Sequence, residues 1–187
     1  MHPIIYDVAV SLDGFIAGPD GDISGFAHEG PVVDAYFERL KGYACAIMGR
    51  ATYEFGYRFG LTPGASPYPH MKTVVFSRSL AVPDQAEISV VRDADPMPAL
   101  QALRQSAGGP IYLCGGGAFA GTLLRLGQID QLRLKRAPCL LGAGTALFDA
   151  ELPPHAPAVL RTETYEYGYV YQAFDLRAPT AAQPPVA

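Results

Sequence analysis

Short apolar runs alternate along the chain with segments in which apolar residues recur every three or four positions. A run such as TVVFS, at 73–77, has apolar residues at successive positions, as strands do when both of their faces are covered. Runs of this kind predict strands at 4–10, 43–48, 73–77, 87–91, 111–114, 130–136, 158–165 and 169–176. The helical periodicity predicts helices at 31–41, 50–57, 96–106 and 117–126. We therefore expect an α/β fold with a mixed, mostly parallel sheet and helices on both faces.

The last part of the chain departs from this alternation. No helical pattern separates the last two predicted strands, so they are expected to form a C-terminal antiparallel hairpin. Four tyrosines of this hairpin are attributed to packing in the sheet rather than to a site: Tyr165, Tyr167, Tyr169 and Tyr171. The tail at 178–187, rich in alanine and proline, is expected to be disordered, which leaves one domain at 1–177.

The composition narrows the classes of function. With 187 residues, of which 49% are apolar and 17% charged, the chain can form one domain with a substantial core. A net charge of −4 argues against a nucleic-acid or membrane-surface binder. Cys45, Cys114 and Cys139 are far apart in sequence, which is typical of free thiols in the cytoplasm rather than of disulfides. The histidines lack metal-ligand spacing, so no metal is expected.

One predicted strand leads directly into a helix with the chemistry of a phosphate site. In the segment IMGRATYE, at 47–54, the strand stops at Gly49 and the helix begins with Arg50, followed by Thr52. Free N–H groups at the helix start, a guanidinium and a hydroxyl all favour an anion. An arginine in an ordinary surface turn is an equally good interpretation of this segment taken alone.

Two further strand ends have chemistry of the same kind, and ligands of open α/β sheets bind beyond the carboxyl ends of strands. VVFSRS, at 74–79, places Ser77 and Arg78 where they suit a second phosphate, such as the 2′-phosphate of NADP, although most such pairs are solvated. LCGGGAF, at 113–119, lets main-chain amides approach a diphosphate without an intervening Cβ. Its glycine spacing formally satisfies a Rossmann fingerprint, but no acidic residue ends the next strand, so a Rossmann fold is disfavoured.

In this order, the three segments resemble dihydrofolate reductase, whose family shows Met-Gly-Arg-x-Thr-aromatic-Glu, then Leu-Ser followed by Arg or Ser, then Ile-Gly-Gly-Gly. Two other segments, SLDGFIAGPDGDISGF and APCLLGAGTALF, are more similar to the reductase half of the riboflavin-pathway deaminase–reductase. That half shares the dihydrofolate reductase fold, which is a three-layer α/β fold. The resemblance covers roughly residues 4–176, and we expect a stand-alone relative without a deaminase domain.

The resemblance implies NADPH as the cofactor and a homodimer as the assembly. It assigns Gly49, Arg50 and Thr52 to the cofactor's phosphates. The other cofactor residues that it implies are Ala9 and Ile16 at the nicotinamide, Phe76, Ser77 and Arg78 at the 2′-phosphate, and Gly115, Gly116, Gly117, Ala118 and Phe119 at the diphosphate. In the family, the peptide bond between the first two of these glycines is cis.

The substrate side departs from the family pattern. Where dihydrofolate reductase has a helix acid that bonds the pterin ring, this chain has Val33, and the neighbouring Asp34 is either a catalytic residue or a solvated helix acid. Phe37 of the same helix is expected to contact the substrate. The family's substrate-pocket threonine aligns with Lys135, which suits an anionic ligand and would repel a cationic pterin. Asp13 in SLDG is a second catalytic candidate, with a turn aspartate as the alternative.

Two functions fit these features. The first is an NADPH-dependent reductase that transfers hydride to a small heterocycle, either a pyrimidine like 5-amino-6-(5-phosphoribosylamino)uracil or a pteridine. Its proton would come from solvent or through Asp34. The second is a non-catalytic dinucleotide- or small-ligand-binding protein, because the match is poorest where the substrate would lie. Neither nucleic acid nor a membrane is an expected partner.

Overall fold

The computed structural model describes residues 1–151 and 156–177. The strands are β1 (Ile4–Val10), β2 (Phe15–Ala17), β3 (Cys45–Gly49), β4 (Lys72–Phe76), β5 (Ser89–Val91), β6 (Ile111–Gly115), β7 (Gln131–Arg136), β8 (Thr145–Ala146), β9 (Ala158–Thr164) and β10 (Val170–Asp175). The helices are α1 (Pro31–Leu40), α2 (Arg50–Phe55), α3 (Met97–Ser106) and α4 (Gly117–Arg125), with short 3-10 helices at Pro19–Gly21, Gly56–Phe59 and Glu166–Gly168. The tail that was expected to be disordered lies outside the described residues.

Eight of the strands form one sheet in the order β5-β4-β3-β6-β1-β7-β10-β9. The pairs from β5 to β7 are parallel, whereas β10 is antiparallel to both β7 and β9. The mostly parallel sheet and the C-terminal hairpin are therefore confirmed. Because parallel strands end at the same edge of a sheet, the carboxyl ends of β3, β4 and β6 lie side by side.

Helices cover both faces of the sheet. Ile4 and Tyr6 of β1 pack in a core cluster with α3 and α4, while Ile5 between them packs in a second cluster with α1 and α2. Successive residues of a strand point to opposite faces, so a strand between two helical layers needs apolar residues at successive positions. This is the physical origin of the uninterrupted apolar runs in the sequence.

A separate two-stranded sheet, made of β2 and β8, was not predicted from the sequence. The two strands pair in antiparallel fashion with Phe15 opposite Ala146. They approach closely, since a Cβ on Gly144 would collide with the carbonyl oxygen of Ala17. Strands of two or three residues are too short for a period of two to be visible in the sequence.

Within residues 1–151 and 156–177, no helix combines the length and the apolar character that crossing a bilayer requires.

Candidate active site

The helices α2 and α4 begin within contact distance of each other. A Cβ added to Gly49, just before α2, would lie 3.3 Å from the Cβ of Phe119 in the first turn of α4. A Cβ added to Gly116, just before α4, would lie 3.1 Å from Oγ1 of Thr52 in the first turn of α2. Glycine at these positions therefore lets the two helix starts approach each other.

The end of β4 joins the same group of residues. The ring of Phe76 packs on the ring of Phe119, with 4.9 Å between the ring centroids and 30° between the planes. Arg50 reaches from α2 towards the loop after β4, where its Nη1 donates a 2.9 Å hydrogen bond to Oγ of Ser79. All three strand ends that the sequence singled out thus meet at one edge of the sheet.

The bend after β4 is held by its own serine. Oγ of Ser77 accepts hydrogen bonds from the main-chain N–H groups of Ser79, at 3.2 Å, and Leu80, at 3.0 Å. Arg78 lies between Ser77 and Ser79 and has an exposed side chain, which has no hydrogen bond or ion pair to the residues described. Its guanidinium is therefore available to an anion at this bend.

Neither helix start is capped by a side chain of the described residues. The first-turn N–H groups of a helix have no intrahelical acceptor, and together with the helix dipole they favour an anion. The peptide bond between Gly115 and Gly116 is cis, as the resemblance implied.

A cavity of about 640 Å³ lies at this edge of the sheet. Of the predicted cofactor residues, those that line it are Ala9, Ile16, Gly49, Arg50, Thr52, Gly116, Gly117, Ala118 and Phe119. Gly115 directly precedes Gly116 in the chain and does not line the cavity itself. The other three predicted residues, Phe76, Ser77 and Arg78, do not line it either, but their segment is joined to it by the contact of Phe76 with Phe119 and the hydrogen bond of Arg50 to Ser79.

Away from the helix starts, the cavity is lined by a cluster of hydroxyl and thiol groups that the sequence did not point to. The hydroxyls of Tyr36 and Tyr112 lie 2.7 Å apart, and the hydroxyl of Tyr68 lies 3.2 Å from Sγ of Cys114. Burial raises the pKa of all three phenols and of the thiol, so each keeps its proton at neutral pH. These residues come from three separate segments, and no motif or spacing in the sequence connects them.

The floor of this end contains a buried carboxylate, Asp7, whose oxygens are fully engaged. Arg39 donates to both oxygens, from Nε at 2.8 Å and from Nη2 at 3.0 Å, and the Tyr43 hydroxyl donates at 3.1 Å. The guanidinium also lies 4.3 Å from the ring centroid of Tyr171. An aspartate inside the apolar run IIYDVAV could have signalled this pair, because a buried charge needs a counter-charge.

Lys135 lines the same end of the cavity and is 8% exposed. Its Nζ lies 5.4 Å from the ring centroid of Tyr36, and it has no hydrogen bond or ion pair to any residue in the described part of the chain. Burial lowers the pKa of Lys135, while the nearby charge of Asp7 opposes the shift. The predicted substrate residue Lys135 is thus in the cavity.

Two predicted residues of α1 are not brought to the cavity. Val33 is buried in the core, whereas the next residue, Asp34, is exposed to solvent and does not line the cavity. Phe37 is 54% exposed, and Tyr36 takes the place in the cavity that was predicted for it. Each helical residue is rotated about 100° from the one before, so an error of one residue in the predicted alignment of α1 assigns a solvent-facing side chain to the cavity. The predicted roles of Asp34 and Phe37 are corrected accordingly.

Asp13 connects two loops and does not line the cavity. Its carboxylate accepts hydrogen bonds from the Ser11 hydroxyl at 2.6 Å and from the N–H groups of Leu141, at 3.0 Å, and Gly142, at 2.7 Å. The Ser11 hydrogen bond, followed by that of Gly142, lowers the pKa of Asp13 to about 2. These contacts favour the structural interpretation of Asp13 over the catalytic one.

Comparison with known families and curated proteins places the chain among reductase domains and uncharacterized relatives. A family model described as the RibD C-terminal domain matches residues 3–171. The Bacillus subtilis protein YwjB, named only as uncharacterized, is 29% identical over 91% of this chain and 95% of its own length. The riboflavin biosynthesis protein RibD of Mycobacterium tuberculosis is 28% identical over 78% of this chain, which spans 45% of that protein.

Solved structures share the fold. A riboflavin biosynthesis protein from Shewanella sp. PV-4 superposes with a TM-score of 0.76 and 22% identity over 95% of this chain and 100% of that one. The deaminase/5-amino-6-(5-phosphoribosylamino)uracil reductase of Thermotoga maritima gives a TM-score of 0.68 and 12% identity over 94% of this chain and 56% of that one. The fold is therefore the dihydrofolate reductase-like fold of these reductase domains.

Proposed function

Because the chain belongs to the RibD C-terminal domain family, we propose that it is an NADPH-dependent reductase of a small heterocyclic substrate. The family relation supports an oxidoreductase of the riboflavin pathway. The proposed substrate class is a pyrimidine like 5-amino-6-(5-phosphoribosylamino)uracil, or a pteridine. The observation that carries the proposal is the meeting of two helix starts and an arginine-bearing bend at one cavity.

The groups at this cavity fit a dinucleotide. The uncapped starts of α2 and α4 offer main-chain N–H groups to a diphosphate. Gly116 lets these two starts approach each other, and Gly117 lets α4 begin close to the main chain of Ala146. Arg50 adds a guanidinium whose planar geometry matches a phosphate group. Ala9 and Ile16, at the other side of the cavity, would border the nicotinamide.

The choice of NADPH over NADH rests on the bend after β4. The hydrogen bond from Arg50 to Ser79 brings one guanidinium to the bend that carries Arg78. Two arginines near one point favour a group with two negative charges, as the 2′-phosphate has. We therefore assign Ser77 and Arg78 to that phosphate.

Bound NADPH would supply a hydride to a C=N or C=O carbon of the substrate, and the heteroatom of that bond would take a proton. The chain's own part is to hold the heterocycle against the cofactor and to exclude water. Tyr36, Tyr68 and Tyr112 can hydrogen-bond ring nitrogens and oxygens, since all three keep their protons. Asp34 does not line the cavity, so the proton is expected to come from solvent or from a donor in the cavity rather than through Asp34.

The assignment is tested by titrating the wild type and Arg78→Ala with NADPH and with NADH. We expect Arg78→Ala to weaken NADPH binding about tenfold, which corresponds to about 1.4 kcal/mol, with little effect on NADH. Arg125→Ala is the matched control, because it removes an exposed arginine from the far end of α4. Equal affinity of the wild type for the two coenzymes would refute the assignment of Ser77 and Arg78.

Catalysis is tested separately, by following NADPH oxidation with a panel of pteridines and aminopyrimidines. Oxidation that depends on one member of the panel supports the reductase. A protein that binds NADPH tightly but oxidises it with none of them would instead favour the non-catalytic binding protein.

A further inference from the structure

We propose that the substrate carries a negative charge and that the Lys135 ammonium group binds it. This inference rests on the proposed function, because it concerns the substrate of the same cavity. It names Lys135 as the specificity-determining residue that recognises this charge, which the proposed function did not assign to any residue.

The position of Lys135 places this charge next to the proposed cofactor. In the pairing of β1 with β7, Lys135 lies directly opposite Ala9, so the two side chains stand on the same face of the sheet. Ala9 and Lys135 both line the cavity, and Ala9 is the residue proposed to border the nicotinamide. A group bound by Lys135 would therefore belong to the molecule that meets the nicotinamide.

The nearest carboxylate does not neutralise Lys135. Both oxygens of Asp7 are engaged by Arg39, and one of them also by the Tyr43 hydroxyl. The charges of Asp7 and Arg39 offset each other. Arg133, which lies opposite Asp7 in the sheet, adds a second cation that has no ion pair among the described residues, so the surroundings of Lys135 leave its charge uncompensated. A buried ammonium without a counter-charge is costly, so the arrangement is stable mainly when an anion is bound.

The other groups around Lys135 do not supply that counter-charge. Tyr36, whose ring lies against the ammonium, keeps its hydroxyl proton because burial raises its pKa. Asp149, the other carboxylate that lines the cavity, lies at the helix start, where its N–H donates a 3.0 Å hydrogen bond to the carbonyl oxygen of Gly117. The missing anion is therefore expected to come from the ligand.

The test compares pairs of ligands that differ by one negative charge. Uracil with orotate probes a carboxylate, and uridine with uridine 5′-monophosphate probes a phosphate, so the two sources of charge are separated. Binding to the NADPH-loaded protein is measured by calorimetry. We expect the charged member of at least one pair to bind about tenfold or more tightly than its neutral counterpart.

Variants of Lys135 show whether that residue causes the preference. Lys135→Met should abolish it and Lys135→Arg should retain it, while Lys72→Met, which removes an exposed lysine at the start of β4, should leave it unchanged. Because Lys135→Met removes an unpaired buried charge, it should also raise the melting temperature of the ligand-free protein. If that variant folds poorly, Lys135→Gln removes the charge and keeps a hydrogen-bond donor.

The outcomes separate this inference from the proposed function. Absence of the preference from both pairs, or its survival in Lys135→Met and Lys135→Gln, would overturn the inference while leaving NADPH binding intact. Failure of the wild type to bind NADPH would overturn the proposed function, and the same ligand pairs would then test Lys135 in the protein without cofactor.

Discussion

The two ends of the cavity are built from different parts of the chain. The proposed cofactor end consists largely of main chain, with two uncapped helix starts and the glycines Gly49, Gly116 and Gly117. The proposed substrate end consists of side chains that β1, α1, β6 and β7 bring together, including the charged groups of Asp7 and Lys135. Substitutions that add side-chain atoms should therefore disturb the cofactor end most. Substitutions that replace one functional group by another should disturb the substrate end most.

The largest effect on stability is expected when the buried negative charge of Asp7, beneath the substrate end, is removed. Asp7→Asn leaves Arg39, whose side chain is 18% exposed, without a counter-charge. We expect the free energy of unfolding to fall by about 3–5 kcal/mol, as measured by urea denaturation. Glu38→Gln is the matched control, because Glu38 lies next to Arg39 on α1. Its exposed ion pair with Lys41 should contribute less than about 1 kcal/mol. Similar losses in the two variants would show that the Asp7–Arg39 pair contributes no more to the free energy of unfolding than an exposed ion pair does.

An added methyl group tests the cofactor end. A Cβ on Gly117 would collide with the carbonyl oxygen of Ala146, which is main chain and cannot rotate away. The start of α4 has to shift to relieve this collision, and the N–H groups proposed to bind the diphosphate shift with it. We therefore expect Gly117→Ala to lower the free energy of unfolding by about 1–3 kcal/mol and to weaken NADPH binding about 100-fold. Gly42→Ala is the control, since its Cβ would make an ordinary 3.4 Å contact with the Arg39 carbonyl oxygen. NADPH binding that is unchanged in Gly117→Ala would contradict the proposed cofactor position.

The smallest effect is expected at Asp13, which connects loops beside the cavity rather than forming either end. The pKa of Asp13 is lowered from 3.8 to about 2, so its stabilising contribution is complete above about pH 4 and is lost as the pH falls towards 2. Asp13→Asn should therefore lower the melting temperature slightly at pH 6, and the difference should shrink below pH 4. Asp84→Asn, at an exposed position, is the control and should leave the melting temperature at pH 6 unchanged. A difference that persists at low pH would contradict the proposed role of the Asp13 carboxylate in connecting the two loops.

The sequence predicted the fold more completely than the site. The limits predicted for the first strand are those of β1, because the apolar run is long and both of its sides are buried. β2 and β8 were missed because two or three residues carry no periodicity. The cofactor end could be predicted because a helix start preceded by glycine is a local feature, visible in a few consecutive letters.

The substrate end could be predicted only in part. Lys135 was found through the resemblance, whereas Tyr68, Tyr112 and Cys114 meet through tertiary structure alone. On α1, the pattern could not decide between Tyr36 and Phe37, because both adjoin the apolar face and only packing against the sheet fixes the rotation of the helix.

The place of β1 inside the sheet has a consequence for biosynthesis. Its neighbours, β6 and β7, begin only at Ile111 and Gln131. Residues 4–10 therefore emerge from the ribosome long before either neighbour exists, and their main-chain groups stay unpaired in the nascent chain. An apolar strand in that state is a target for chaperones and for aggregation. The pocket reaches its final form at the same late moment, since Asp7 belongs to this strand.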